Sequence, residues 1–482
     1  MKELWIDLQA KSKTALYEQL YAAIRRNITD GKLSPGEKLP STRFMAKNLG
    51  VSRSTVALAY DQLTAEGYLA PRQGSGYYVC DISELYQLSR EHAGTEKQRK
   101  GEQENRKEEA ASPACEIRFS PYEIDCRKFP YAAWYRVNKE LMPREDSELL
   151  LSGESKGMEK LRSQISRYLY RARGVECRPE QIIVGAGNEY LLMLLAQILG
   201  TGKSVLMEEY TYVQAYATFR NMGCHMLAAH TDSDGICMED VHMSGADIVY
   251  VMPAHQFPLG IVMPLKRRLE LLKWAAASGE RYIVEDDHDS EFRYKGKPIP
   301  ALWGNDRAGH VVYLGTFSKS ITPSLRISYM VLPERLLERY EKNCGFYACT
   351  VSRFGQELLY RFLEEGHFER HLNRMRNHYK QKQETLIALL KRENWVQSVS
   401  GDNAGLHVLV EVKTAYSEEE LCRRAAGSGV EIHGLAEYCI GNPPKKAYPS
   451  VLLGYGNLNE AEMRRGLEIL RRLIAGGGTF GK

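Results

Sequence analysis

The sequence predicts a multidomain chain: a small N-terminal α+β domain over residues 1–80, a linker over 81–115, and a large α/β domain over 116–482. Three observations predict it. At 482 residues the chain exceeds what one hydrophobic core ordinarily organises. Short amphipathic helices and a hairpin pattern fill residues 1–80, whereas from about Cys115 apolar strand-like runs alternate with helical stretches. Between them, the stretch from Arg90 to Ala114 almost lacks large apolar side chains. Such a composition buries too little surface to offset its ordering entropy, so a flexible, solvated linker is expected.

Composition narrows the compartment and the partners. Hydrophobic content of 43% and charged content of 26% describe a globular chain. No apolar run approaches the ~18 residues that a membrane span needs. The start, Met1-Lys2-Glu3-Leu4-Trp5-Ile6-Asp7, has no apolar signal core. Ten cysteines without a C-x-x-C pair read as reduced thiols. A cytoplasmic location is therefore expected, with no metal site. Residues 1–80 hold eleven Lys and Arg against seven Asp and Glu, an excess that equals the whole-chain net charge of +4. That asymmetry points weakly to a polyanion partner for the N-terminus.

The N-terminal elements follow in order. Leu16, Leu20, Ile24 and Ile28 recur every four residues, predicting a helix that stops at Asp30-Gly31. Ser34-Pro35-Gly36-Glu37 makes a turn, and Ser41 caps a second helix. A third helix starts at Val51-Ser52 and ends at Gly67, with Val56, Ala59, Tyr60 and Leu63 facing inward. Tyr68-Leu69-Ala70 then pairs with Gly76-Tyr77-Tyr78-Val79 across a tip of Arg72, Gln73, Gly74 and Ser75. Helix-turn-helix plus hairpin is a winged-helix plan. Ser52, Arg53, Ser54 and Thr55 open the third helix, where hydroxyls, a guanidinium and free amides suit phosphates and base edges. Arg43 is positioned to clamp the backbone, and Arg72, Gln73 and Gly74 to enter a minor groove. Each residue alone is more often a cap or a solvated turn; their order carries the signal. The string Leu33-Ser34-Pro35-Gly36-Glu37-Lys38-Leu39-Pro40-Ser41-Thr42-Arg43, then Gly50-Val51-Ser52-Arg53-Ser54-Thr55, resembles the GntR-type winged helix. A double-stranded DNA operator is the partner this resemblance implies.

In the large domain, Ile182–Val184, Ser204–Met207, Ile248–Met252, Arg281–Val284 and Val311–Leu314 are strand candidates for a mostly parallel sheet. Motifs follow several of them. Gly185-Ala186-Gly187-Asn188-Glu189 opens a helix whose amides suit a phosphate. Tyr212 follows Glu208-Glu209-Tyr210-Thr211. Pro253-Ala254-His255-Gln256-Phe257-Pro258 offers polar groups. Glu285-Asp286-Asp287-His288-Asp289 puts carboxylates at a strand's C-terminal end. Gly315-Thr316-Phe317-Ser318-Lys319-Ser320, with Arg326 seven residues past the lysine, gathers an amine, hydroxyls and a guanidinium suited to a phosphate-bearing aldehyde. An isolated lysine would be a surface lysine; the four companion motifs argue against that here.

Together these motifs resemble the MocR subfamily of GntR regulators, whose best-known members respond to GABA. The resemblance runs essentially the full chain. It implies a fold-type I aminotransferase-like domain with a small C-terminal α+β subdomain, holding pyridoxal 5'-phosphate. On this likeness Lys319 is the Schiff-base lysine, Asp286 the partner of the pyridine nitrogen, Tyr212 the stacking ring and Arg326 a phosphate or active-site arginine. Gly187, Asn188, His255, His288, Thr316 and Ser318 complete the expected cofactor site. His288 stands where the family usually has tyrosine. Gln214 and Glu437 stand where GABA-responsive members have arginines, which implies a different effector: an amine or amino acid, an amine meeting Glu437, or the cofactor itself. Members form head-to-tail homodimers and use imine exchange as a sensor more than as an enzyme. An active aminotransferase carrying a DNA-binding module remains the alternative, and a cofactor-free dimerisation domain a third.

Overall fold

The computed structural model describes residues 8–9, 14–72, 74–81, 115–141, 147–294, 299–441 and 447–476. The linker expected over 81–115 lies almost wholly outside the described residues, and so does Gln73. The chain divides into two compact units, Met1–Ser112 and Pro113–Lys482. No helix among the described residues is long and apolar enough to cross a membrane.

In the first unit the four-residue apolar spacing becomes α1 (Leu16–Thr29), which buries Leu20, Ile24 and Ile28. Ser41 caps α2 (Thr42–Leu49) by accepting from the Phe44 amide, and Ser52 caps α3 (Arg53–Ala65) by accepting from the Thr55 amide. Val56, Ala59, Tyr60 and Leu63 turn into the core, where the Tyr60 phenol donates to the Pro40 carbonyl. Strands β1 (Leu69–Arg72) and β2 (Gly76–Val79) pair antiparallel, with Arg72 opposite Gly76. Arg72 is therefore the last strand residue rather than part of the tip. Its guanidinium stacks 4.4 Å from the Tyr78 ring centroid.

The second unit is built on a seven-stranded sheet. Its strands are β3 (Ile182–Gly185), β4 (Ser204–Glu208), β5 (His225–Ala229), β6 (Ile248–Val251), β7 (Tyr282–Asp287), β8 (Val311–Thr316) and β9 (Ser328–Val331). Their order across the sheet is β3-β9-β8-β7-β6-β4-β5. All pairings are parallel except the two made by β9. Both faces are covered, which explains the near-continuous apolar runs. Tyr250, Tyr282 and Val284 face the core beneath α4 (Asn188–Leu199), whereas Val249, Val251 and Ile283 face the opposite core, which includes Leu271 and Trp274 of the helix Leu265–Ala276.

Two strands of this sheet are not among the sequence candidates. β9 is a four-residue antiparallel insertion, and β5 is a partly exposed edge whose pattern lacks a buried face. The motif carboxylates also sit differently: β7 runs on through Asp287, so Asp286 belongs to the strand instead of following it. A smaller antiparallel sheet, β10 (Val396–Ser400), β11 (His407–Val412), β12 (His433–Gly434) and β13 (Ser450–Gly454), is flanked by the helices Glu418–Gly427 and Glu460–Gly476. This is the small C-terminal α+β subdomain.

Candidate functional site

Parallel strands deliver their C-terminal ends to one edge of the sheet, and β7 and β8 bring Asp286, Thr316 and the turn holding Lys319 there. At that edge a cleft is lined by Lys319, Asp286, Asn188, Tyr212, His288, Thr316, Ser318 and Arg326. Pro121, Tyr122, Glu189, Met252, Phe257, Asp289 and His407 complete its wall. Eight of the ten expected cofactor residues thus meet in one cleft. Gly187 packs against Arg326 and His255 against Asp289, both residues of that wall.

The Lys319 amine donates to the Pro121 carbonyl at 2.8 Å and lies 5.7 Å from the Tyr122 ring centroid. Burial pushes its pKa down to about 8, which nearby Asp289 opposes only in part. Such an amine is far more available as a nucleophile at neutral pH than a surface lysine.

Asp286 is buried between three neighbours. The Tyr250 phenol on β6 donates to its Oδ2, and the Asn188 side-chain amide reaches its two oxygens at 3.3 and 3.4 Å. Burial raises the Asp286 pKa, against the opposing pull of His288, Tyr250 and Asn188.

His255, His288 and Asp289 form a second polar group, each presenting an atom within 4.8 Å of the others. His255 Nδ1 is 2.9 Å from Asp289 Oδ1, and His288 Nε2 is 3.3 Å from Asp289 Oδ2. Gly405 has to be glycine beside them, because a Cβ there would sit 2.3 Å from the His255 ring. Burial lowers the His288 pKa, but Asp289 and Asp286 outweigh it and the net direction is up. His407 is driven the other way, to about 3, by burial and by His255.

A third cluster closes the end of the cleft near α4. Ser318 donates its amide to Thr316 Oγ1 at 3.1 Å, and the Thr316 hydroxyl is 3.0 Å from that of Ser318. Arg326 Nη2 donates to Glu189 Oε2 at 2.7 Å, and the Tyr212 phenol donates to Glu189 Oε1 at 3.2 Å.

The two effector candidates do not line the cleft. Gln214 lies beside the half-buried Tyr122 phenol, which does line it. Glu437 is engaged by His433 Nδ1 at 3.0 Å and by the Gly434 amide at 2.9 Å. Sequence reasoning missed Tyr122, Tyr250, Glu189 and His407. Tyr250 hid in a strand's apolar alternation, and Tyr122 and His407 come from distant segments without a local motif. Glu189 lay inside a motif that was read only for its backbone amides.

In the first unit Arg43, Arg53, Ser54, Arg72 and Gly74 are exposed, and Thr55 is half-buried. Ser52 is exposed too, but its hydroxyl is engaged: it accepts from the Thr55 amide at 3.1 Å and lies 2.8 Å from the Ser54 hydroxyl. Its first role is as a helix cap.

Residues 16–79 match the family model "Bacterial regulatory proteins, gntR family", and residues 121–440 match "Aminotransferase class I and II". The HTH-type transcriptional regulator YdeL of Bacillus subtilis is 37% identical over 95% of this chain and 96% of its own. The probable rhizopine catabolism regulatory protein MocR of Rhizobium meliloti is 34% identical over 96% of this chain and 94% of its own. Among solved structures, kynurenine aminotransferase of Pyrococcus horikoshii superposes with a TM-score of 0.66 at 23% identity, covering 78% of this chain and 94% of its own.

The aminotransferase class I and II fold implies pyridoxal phosphate, and the cleft fits that group. It offers a buried amine of lowered pKa, a buried carboxylate, and hydroxyls beside a guanidinium. Asn188 Oδ1 and His255 Nε2 are buried without a hydrogen-bond partner among the described residues. The chain belongs to the GntR family of bacterial regulatory proteins and, within it, to the MocR-like transcription regulators that join a helix-turn-helix domain to an aminotransferase-like domain.

Proposed function

We propose that this regulator works in the cytoplasm as a homodimer. In this reading residues 1–80 read an operator and residues 116–482 form a pyridoxal phosphate-dependent sensor of a small amine or amino acid, joined by a linker over 81–115. The observation that carries it is the buried Lys319 amine sharing one cleft with the Asp286 carboxylate.

When bound, the group supplies an aldehyde that one amine at a time can occupy, that of Lys319 or of an effector, and a pyridine ring that draws electrons when protonated. Lys319 presents the nucleophile. Asp286, supported by Tyr250 and Asn188, holds the proton at the ring nitrogen. Tyr212 and Phe257, which line the cleft, would flank the ring and exclude water. His288, with His255 beside it, would meet its hydroxyl, and Asn188, Gly187, Thr316, Ser318 and Arg326 would hold the phosphate. Gln214 and Glu437 act on the effector through Tyr122. Arg43, Arg53, Ser54, Thr55, Arg72, Gln73 and Gly74 form the DNA face, with Ser52 fixing the start of its helix.

Effector binding changes operator affinity by as much as it favours one state of the chain over another. The test is a titration of the cofactor-loaded protein with a panel of amines and amino acids, read in parallel by visible absorbance and by operator mobility shift. One compound should change both signals in the wild type and neither in Lys319→Ala. Change in absorbance across the whole panel with constant operator affinity would contradict a sensor. Steady turnover above about 1 per second would mark an enzyme instead.

A further inference from the structure

The ion pair between Arg326 and Glu189 stands where the proposed function seats a phosphate. Arg326 Nη2 is 2.7 Å from Glu189 Oε2, and both residues line the cleft with Lys319. The carboxylate is fixed from its other side by the Tyr212 phenol at 3.2 Å. The guanidinium is fixed as well: a Cβ on Gly187, which has φ +98°, would lie 2.1 Å from Arg326 Nη2. Only a glycine at 187 leaves room for this arginine to reach the acid. Arg326 itself adopts φ 49°, the one positive φ among the described non-glycine residues.

An anion arriving at this end therefore meets a guanidinium already neutralised and a carboxylate of its own sign. Burial raises the Glu189 pKa, but its own backbone amide, Arg326 and Tyr212 outweigh this and the net shift is downward. An acid in the first turn of α4 also suits the helix dipole, and an exposed ion pair commonly does nothing more. What sets this one apart is its place: its arginine is the only Arg lining the cleft among the described residues.

We propose that Glu189 is a specificity-determining residue that competes with the cofactor's phosphate for Arg326. It weakens binding of the phosphorylated cofactor, so that occupancy follows supply instead of being permanent. The inference rests on the reading of this cleft as a pyridoxal phosphate site.

The test compares the affinity of the full-length apoprotein for pyridoxal phosphate and for pyridoxal, which lacks the phosphate, in wild type, Glu189→Gln and Arg326→Gln. Glu189→Gln should tighten pyridoxal phosphate about ten-fold and leave pyridoxal unchanged. Arg326→Gln should weaken pyridoxal phosphate alone. The inference is overturned if Glu189→Gln leaves pyridoxal phosphate affinity unchanged or lower, if it moves both compounds in parallel, or if Arg326→Gln fails to distinguish them. Failure of the wild type to bind either compound would instead remove the proposed function itself. A fold defect would shift both ligands together, so the ratio between them isolates the charge.

Discussion

The Tyr250 phenol on β6 donates to the Asp286 carboxylate on the adjacent strand β7. Both side chains are buried, and the parallel pairing of their strands holds donor and acceptor without any loop. A carboxylate desolvated in this way keeps its charge only while its donors remain. Tyr250→Phe removes one donor and leaves the packing. It should raise the Asp286 pKa further and weaken cofactor binding about ten-fold, a loss of ~1.4 kcal/mol within the range for a charged hydrogen bond. Equilibrium titration of the apoprotein with pyridoxal phosphate measures this, and unchanged affinity would mean that Asn188 alone supports the acid.

The Lys319 amine gives a pH prediction. Burial holds its pKa at about 8 instead of the ordinary 10.5, so it is mostly protonated below pH 8 and mostly neutral above. Only the neutral amine captures an aldehyde. The rate at which apoprotein captures free cofactor should therefore climb with pH, bend near pH 8 and level off above it. Stopped-flow absorbance at several pH values reads the bend. A climb continuing past pH 10 would place Lys319 among solvated lysines.

Ser52 separates a fold role from a contact role. Its hydroxyl caps α3, so Ser52→Ala should cost about 1 kcal/mol of stability in the N-terminal unit. Ser52→Asp restores the cap and adds a negative charge to the proposed DNA face. The aspartate variant should melt like wild type yet bind the operator more weakly than the alanine variant. Thermal unfolding and a mobility-shift assay decide it; equal DNA binding by the two would move the reading face away from this turn.

Arg43 and Arg53 are exposed on α2 and α3. Arg43→Glu and Arg53→Glu should each abolish operator binding while the visible absorbance of the bound cofactor stays intact. Milder Arg→Gln changes should lower the salt dependence of binding by about one phosphate contact each. Operator titrations over a range of salt concentrations check both.

Much of this is legible in the sequence. Leu20, Ile24 and Ile28 announced α1 because burial on one side of a helix imposes a spacing. Ser41 and Ser52 announced helix starts because free amides need acceptors. The motifs around Asp286 and Lys319 were legible because β7 and β8 end in short turns, and a short turn keeps neighbours in sequence neighbours in space. Tyr122 and His407 were not legible, since long-range topology brings them to the cleft and no local pattern marks them. Tyr250 was hidden by chemistry: in an apolar strand a tyrosine reads as core until its hydroxyl is seen to have a partner. The surroundings of Glu437 were not legible either: its carboxylate meets His433 and the Gly434 amide.

The central claim is that pyridoxal phosphate is held through the side chain of residue 319. Borohydride reduction of the cofactor-loaded protein, followed by proteolysis and mass mapping, tests it most directly. The account predicts one reduced pyridoxyl adduct, on the peptide carrying Lys319, absent when that lysine is replaced by alanine. An unmodified Lys319 peptide from saturated protein, or an adduct on another lysine, would contradict it.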